Sequence, residues 1–221
     1  MYNWDFSILF TADFATAIVR GAEYTLLVSV FALFFGAVIG LTVAVIRVSH
    51  IPVVSQIAYV YVDFFRTTPA LVQLIWFFYV LPILIHVSLT AIITGIMALS
   101  LNSGAFLSEI FRGGIVSIGR GQRDASHVLG LSSYQTLRYV ILPQALRRVL
   151  PAAGNVFISL IKDSALLSVI AVSELTYMMQ TEVARTFRPL EIYTALAVLY
   201  FCLTYPLSLG ISALERRFRV V

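Results

Sequence analysis

Two stretches carry polar groups inside otherwise apolar runs. "NVFISLIKDSALLS" holds Asn155, Lys162, Asp163, Ser164 and Ser168, and "SLNSG" holds Ser100, Asn102 and Ser103. Ionisable groups in a hydrocarbon-facing helix are costly, and they mark pathways or binding sites by default. Lys162 falls about 16 Å along a helix from Pro151 at 1.5 Å per residue, near the middle of a bilayer. Adjacent helical side chains diverge by about 100° and do not face each other, so Lys162 and Asp163 do not neutralise one another side by side. An opposed ammonium and carboxylate, with amide and hydroxyl groups from Asn102, Ser103, Asn155 and Ser164, would complement a zwitterionic solute through charge-assisted hydrogen bonds. A structural account competes with this. Asp163 could pair with Arg66, or Lys162 with a carboxylate of another chain, while Ser and Asn serve as ordinary interhelical hydrogen-bonding groups.

The elements that must hold these residues are membrane helices. The chain has 221 residues, 60% hydrophobic and 12% charged, with a mean hydropathy of +0.93. A water-soluble domain is about half apolar and about a quarter charged. A spanning helix takes roughly 20 apolar residues, and five segments qualify: about 23–46, 53–86, 88–110, 149–175 and 190–214. The second is interrupted by "FFRTTPA", where Arg66 and Pro69 break the pattern, and is read as one kinked span. Arg47, Arg112, Arg120, Arg123, Arg138, Arg147, Arg148, Arg216, Arg217 and Arg219 then fall on one side, and Arg20, Arg185 and Arg188 on the other. The excess of arginine marks the cytoplasmic side, so the N-terminus is expected outside and the C-terminus inside. Residues 1–18 read as an outer interfacial segment, with Phe6, Phe10 and Phe14 on one helical face. They lack the basic first region and cleavage site of a signal peptide. Residues 19–217 read as one transmembrane domain and 218–221 as a cytoplasmic tail. The lone Cys202 offers neither a disulfide nor a metal-site spacing.

One structured interruption, "GQRDASHVLGLSSYQTLRYVILPQALRRVLP", lies in the cytoplasmic loop 112–148 and its continuation. A short helix ends at Gly130, where a left-handed residue is favoured. Ser132 and Gln135 have the spacing of a capping box and start a second helix at once. Pro143 is expected to kink or end that helix. Helix, tight turn and helix make an elbow that suits either a docking surface for another protein or an amphipathic connector on the membrane.

The spacing Asp124-Ala125-Ser126, three residues, Gly130, nine residues, Val140, one residue, Leu142-Pro143 resembles the EAA loop of bacterial ABC importer permeases. It departs from that pattern at Asp124 for Glu, Ser126 for Ala and Val140 for Ile. "FFRTTPALVQL", "LNSGAFLSEIFRGGI" and "KDSALLSVIAVSEL" are similar to the polar amino acid branch, so the resemblance covers about 19–217. It implies an all-α transmembrane fold of the type I ABC importer permease, with five spanning helices and a cytoplasmic coupling-helix elbow. It also implies an inner-membrane permease subunit that imports polar amino acids, not an enzyme. The implied partners are a second permease chain, identical or not, two cytoplasmic ATP-binding subunits and an extracytoplasmic binding protein. The resemblance makes Asp124 to Gly130 the coupling helix, flanked at the ATPase contact by Arg120, Gln122 and Arg123. Glu109 and Arg112, three residues apart, have the spacing of a mutual pair. The chain has no Gly-x4-Gly-Lys-Ser/Thr phosphate loop, so ATP and magnesium are expected on the partner and no cofactor on this chain.

Two other functional classes compete with this reading. A secondary transporter driven by an ion gradient commonly shows internal repeats, and none is evident here. A membrane enzyme would need a reactive constellation, yet His50, His86 and His127 are scattered, and neither His-Glu-x-x-His nor Gly-x-Ser-x-Gly occurs.

Overall fold

The structure is a computed structural model that describes residues 4–48 and 52–218. Among the described residues every regular element is helical. A 3-10 turn (Phe6–Phe10) leads into α1 (Ala12–Val48). There follow α2 (Pro52–Thr67), α3 (Ala70–Ile85), α4 (Ala91–Val116), α5 (Arg120–Val128), α6 (Ser133–Ile170), α7 (Leu175–Thr186) and α8 (Pro189–Phe218). Helices α1, α4, α6 and α8 are each long and apolar enough to cross a membrane. The pair α2 and α3 qualifies only together, bent by 108°.

The segment 53–86, read as one kinked span, breaks at Pro69, with its two halves bent by 108°. Pro69 has no N–H and disfavours helical geometry at the residue before it, so the ladder stops at Thr68 N–H to Phe64 O, 3.1 Å. Pro143 acts differently. A wide π turn, Thr136–Ile141, precedes Leu142-Pro143 and gives room for a ring that would otherwise meet the carbonyl four residues back. The helix therefore runs through Pro143 rather than ending there. The same device occurs in α3, where a π turn, Trp76–Val80, precedes Leu81-Pro82.

Helix α1 packs along α4 at small residues. A Cβ placed on Gly40 would come 2.8 Å from Leu107 Cβ and 2.9 Å from the Gly104 carbonyl oxygen. In lipid, where apolar surface gains little by leaving solvent, such close backbone approach supplies the packing energy. The central core joins Val28 and Ala32 of α1 to Leu74 of α3, Ala98 and Leu99 of α4, and Leu160 and Leu167 of α6. A second cluster packs Phe14 and Ala17 on Met179 of α7 and Ile192 of α8. The expected single aromatic face at the N-terminus is thus divided. Phe6 and Phe10 are exposed, whereas Phe14 is core, and α1 passes through residue 18 without a break.

Candidate functional site: a cavity between α4 and α6

Helices α4 and α6 line a half-open cavity of about 410 Å³. Asn102, Ser103, Phe106 and Ile110 line it from α4, and Ala152, Asn155, Val156, Ser159, Leu160 and Asp163 from α6. Asn155, Ser159 and Asp163 recur at steps of four, which puts them on one face. The cavity thus collects four of the six residues expected to meet a solute: Asn102, Ser103, Asn155 and Asp163. The other two stand elsewhere. Lys162 is exposed on a different face of α6, as the divergence of neighbouring side chains requires. Ser164 is buried, and its hydroxyl donates to Ile161 O, 2.8 Å. Ser159 was not expected, although its position midway between Asn155 and Asp163 was a usable signal.

Asp163 is half-buried and forms no salt bridge among the described residues. Arg66 lies 4.0 Å from Glu109 instead, with its guanidinium 5.6 Å from the Phe106 ring, a wall of the cavity. Glu109 also accepts from Arg112 Nε at 3.1 Å and Nη2 at 2.7 Å, the pair that i, i+3 spacing suggested. Its other oxygen takes a hydrogen bond from Arg47, whose guanidinium packs 4.1 Å from the Tyr59 ring. One carboxylate thus gathers cations from α1, α2 and α4.

Ser103 donates weakly to Ala32 O, 3.4 Å, and Ser100 O, 3.3 Å, so it also braces α4 against α1. Asn102 Nδ2 donates to Phe65 O, 3.1 Å, and to Gln73 Oε1, 2.9 Å. Gln73, buried in α3, was not singled out in the sequence. A lone glutamine in "PALVQLIWFF" has no pattern to announce it.

The elbow is built as its stop signals require. Gly130 adopts φ +75°. The N–H groups of Gly130 and Leu131 donate to His127 O and Ser126 O, both 3.0 Å, the double closure of a Schellman turn. Ser132 Oγ accepts from Gln135 N–H, 3.3 Å, and Gln135 Oε1 accepts from Ser132 N–H, 2.8 Å. Gln122, Asp124 and Ala125 are exposed on α5. Ser126 turns inward, its hydroxyl donating to Gln122 O, 2.6 Å. Arg120 and Arg123 lie on α5, with side chains outside the described residues. Val128 and Leu129, 88% and 78% exposed, project from the turn.

The family model described as "Binding-protein-dependent transport system inner membrane component" matches residues 13–220. The chain belongs to this family. The permease is 40% identical over 205 residues to the glutamine transport system permease protein GlnP of Escherichia coli strain K12, covering 92% of this chain and 94% of that one. To the L-cystine transport system permease protein TcyL of Bacillus subtilis strain 168 it is 33% identical over 220 residues, covering 97% and 92%. A solved structure described as an amino acid ABC transporter with histidines superposes with a TM-score of 0.90 at 34% identity, over 98% of this chain and 100% of that one. An inward-facing MetNI methionine ABC transporter superposes with a TM-score of 0.79 at 23% identity, over 95% and 100%, a likeness of fold. The permease is therefore an inner-membrane transport component with the all-α fold of ABC importer permeases, and the ion-gradient carrier and enzyme readings give way.

Proposed function

We propose that this permease, paired with a second permease chain, forms the passage through which an ATP-driven importer moves a polar amino acid into the cytoplasm. The observation that carries the reading is the α4–α6 cavity, where Asp163 presents a carboxylate held in no salt bridge among the described residues, beside amide and hydroxyl groups. A free ammonium group is the natural complement of such a carboxylate. Helix α6 is continuous from the elbow at Ser133 to the cavity at Asp163, so a push on the elbow reaches the cavity wall without crossing a loop. The elbow with its exposed Val128 and Leu129 is the docking surface for a cytoplasmic ATPase, which binds ATP and magnesium. Asp124, Ala125, Gln122, Arg120 and Arg123 lie at that contact, and a binding protein delivers solute on the opposite side. The names of the glutamine and cystine permeases support the solute class.

The test is reconstitution in proteoliposomes with the ATPase and the binding protein, followed by uptake of labelled L-glutamine. Uptake is expected only with ATP on the elbow side and binding protein on the other. Uptake that follows an imposed ion gradient without ATP would overturn the reading.

A further inference from the structure

Pro69 leaves a gap in the hydrogen-bond ladder, and the way it is filled reaches into the cavity. In an unbroken helix the N–H of residue 69 would donate to Phe65 O. Proline has none. Two side-chain amides take its place: Gln73 Nε2 donates to Phe65 O at 3.0 Å, and Asn102 Nδ2 to the same oxygen at 3.1 Å. Gln73 Nε2 also lies 3.0 Å from Thr68 O and 2.6 Å from Thr68 Oγ1, and so spans the elbow between α2 and α3. Its remaining amide atom, Oε1, accepts from Asn102 Nδ2 at 2.9 Å.

The consequence falls on Asn102. Both hydrogens of its amide have acceptors, Phe65 O and Gln73 Oε1. The flipped amide would place its oxygen against two acceptors, so one orientation alone satisfies the network. The carbonyl oxygen of Asn102, a cavity-lining residue, is then its only group free for a ligand. An amide that can offer either a donor or an acceptor is thereby restricted to accepting. We propose that Gln73 is a positioning residue for the solute cavity: by occupying the site of the missing Pro69 N–H it locks Asn102 as a hydrogen-bond acceptor beside Asp163. The cavity then selects a donor-rich ammonium end of the solute and rejects solutes whose amine is blocked. This rests on the reading of the cavity as the solute site.

The test uses the purified complex of permease and ATPase in lipid nanodiscs, without the binding protein, titrated with L-glutamine and with N-acetyl-L-glutamine. Wild type is expected to bind the free amine and to discriminate against the acetylated form. Gln73→Met keeps the length of the side chain but removes both the elbow bonds and the lock. It is expected to weaken L-glutamine binding about tenfold, the scale of one hydrogen bond to a charged group, and to narrow the discrimination. Thr68→Val loosens Gln73 without removing its amide and is expected to shift both quantities the same way by less. It keeps the test decisive if the Met variant fails to fold. Melting of the complex is recorded in parallel. A brace with no role in recognition would lower the melting temperature and leave the ratio of the two affinities at the wild-type value, and that result overturns the proposal. A wild type that binds neither probe overturns instead the assignment of the cavity to solute, and the positioning role with it.

Discussion

Asp163 and Glu109 are two acidic residues in membrane helices with opposite circumstances. Glu109 is ringed by Arg47, Arg66 and Arg112, whereas Asp163 forms no salt bridge among the described residues and lines a cavity. A carboxylate ringed by guanidiniums holds structure together; the open one is the group proposed to meet the solute. Asp163→Asn should therefore leave the assembled complex at wild-type level and reduce its affinity for L-glutamine by tenfold or more, about the strength of a charge-assisted bond. Quantifying complex and uptake on the same membranes checks this, and loss of the complex would place Asp163 among the structural pairs. Lys162→Met, on another face of the same helix, should leave L-glutamine affinity unchanged. Glu109→Gln should act in the reverse sense. It strands the buried guanidinium of Arg47, which costs roughly 3 kcal/mol, and it should appear as a lower melting temperature of the complex with solute affinity retained.

At the scale of elements, the close approach of α1 to α4 and the turn of the elbow each depend on a glycine. Gly40→Ala places a methyl within 3.0 Å of α4 backbone and side-chain atoms and should destabilise the chain by about 1–3 kcal/mol. Gly113→Ala, in the same α4 but with nothing within 4 Å of the added carbon, should stabilise by about 0.5–1 kcal/mol. Thermal unfolding in detergent separates the two signs. Gly130→Val must hold a β-branched residue at φ +75°, which costs about 1–2 kcal/mol, or abandon the Schellman turn. Either way α5 is re-aimed while α6 stays in the membrane. Solute-stimulated ATP hydrolysis of the reconstituted complex should fall with insertion unaffected, and normal stimulation would reduce the elbow to a connector.

For the whole molecule, the decisive asymmetry is that of its two ends. The elbow end carries Arg112, Arg138, Arg147 and Arg148, the other end Arg20, Arg185 and Arg188. By the positive-inside rule we propose that the elbow faces the cytoplasm. With Cys202 replaced, a cysteine introduced at Ser132 should resist an impermeant thiol reagent in intact cells and react once the membrane is opened. Efficient labelling from outside would invert the proposed orientation. Outside the core the chain exposes many large apolar residues, and α8 buries only Glu191 and Ile192, which leaves most of that helix to lipid or, in the arrangement proposed, to the second permease chain.

What the sequence determined alone was whatever depends on local chemistry. Apolar length marked the helices long enough to cross, and Gly130, Ser132 and Gln135 wrote the elbow, because caps and turns are decided within a few residues. The family could be read from spaced motifs for the same reason. That Asn102, Ser103, Asn155 and Asp163 belong among the polar residues of two apolar helices was legible in the sequence. Which side of α6 faces the cavity was not. In a membrane both faces of a helix are apolar, so hydrophobic periodicity does not distinguish interior from lipid. Small residues such as Gly36 and Gly40 mark the interior, and only contact with α4 reveals it. That is why Lys162 and Asp163, alike in sequence terms, separated in the fold. Tertiary structure alone also decided that Pro69 turns the chain by 108° while Pro143 is absorbed in a π turn. A proline states only that a hydrogen bond is missing. What replaces that bond, here the amides of Gln73 and Asn102 from two other helices, is settled by how those helices pack.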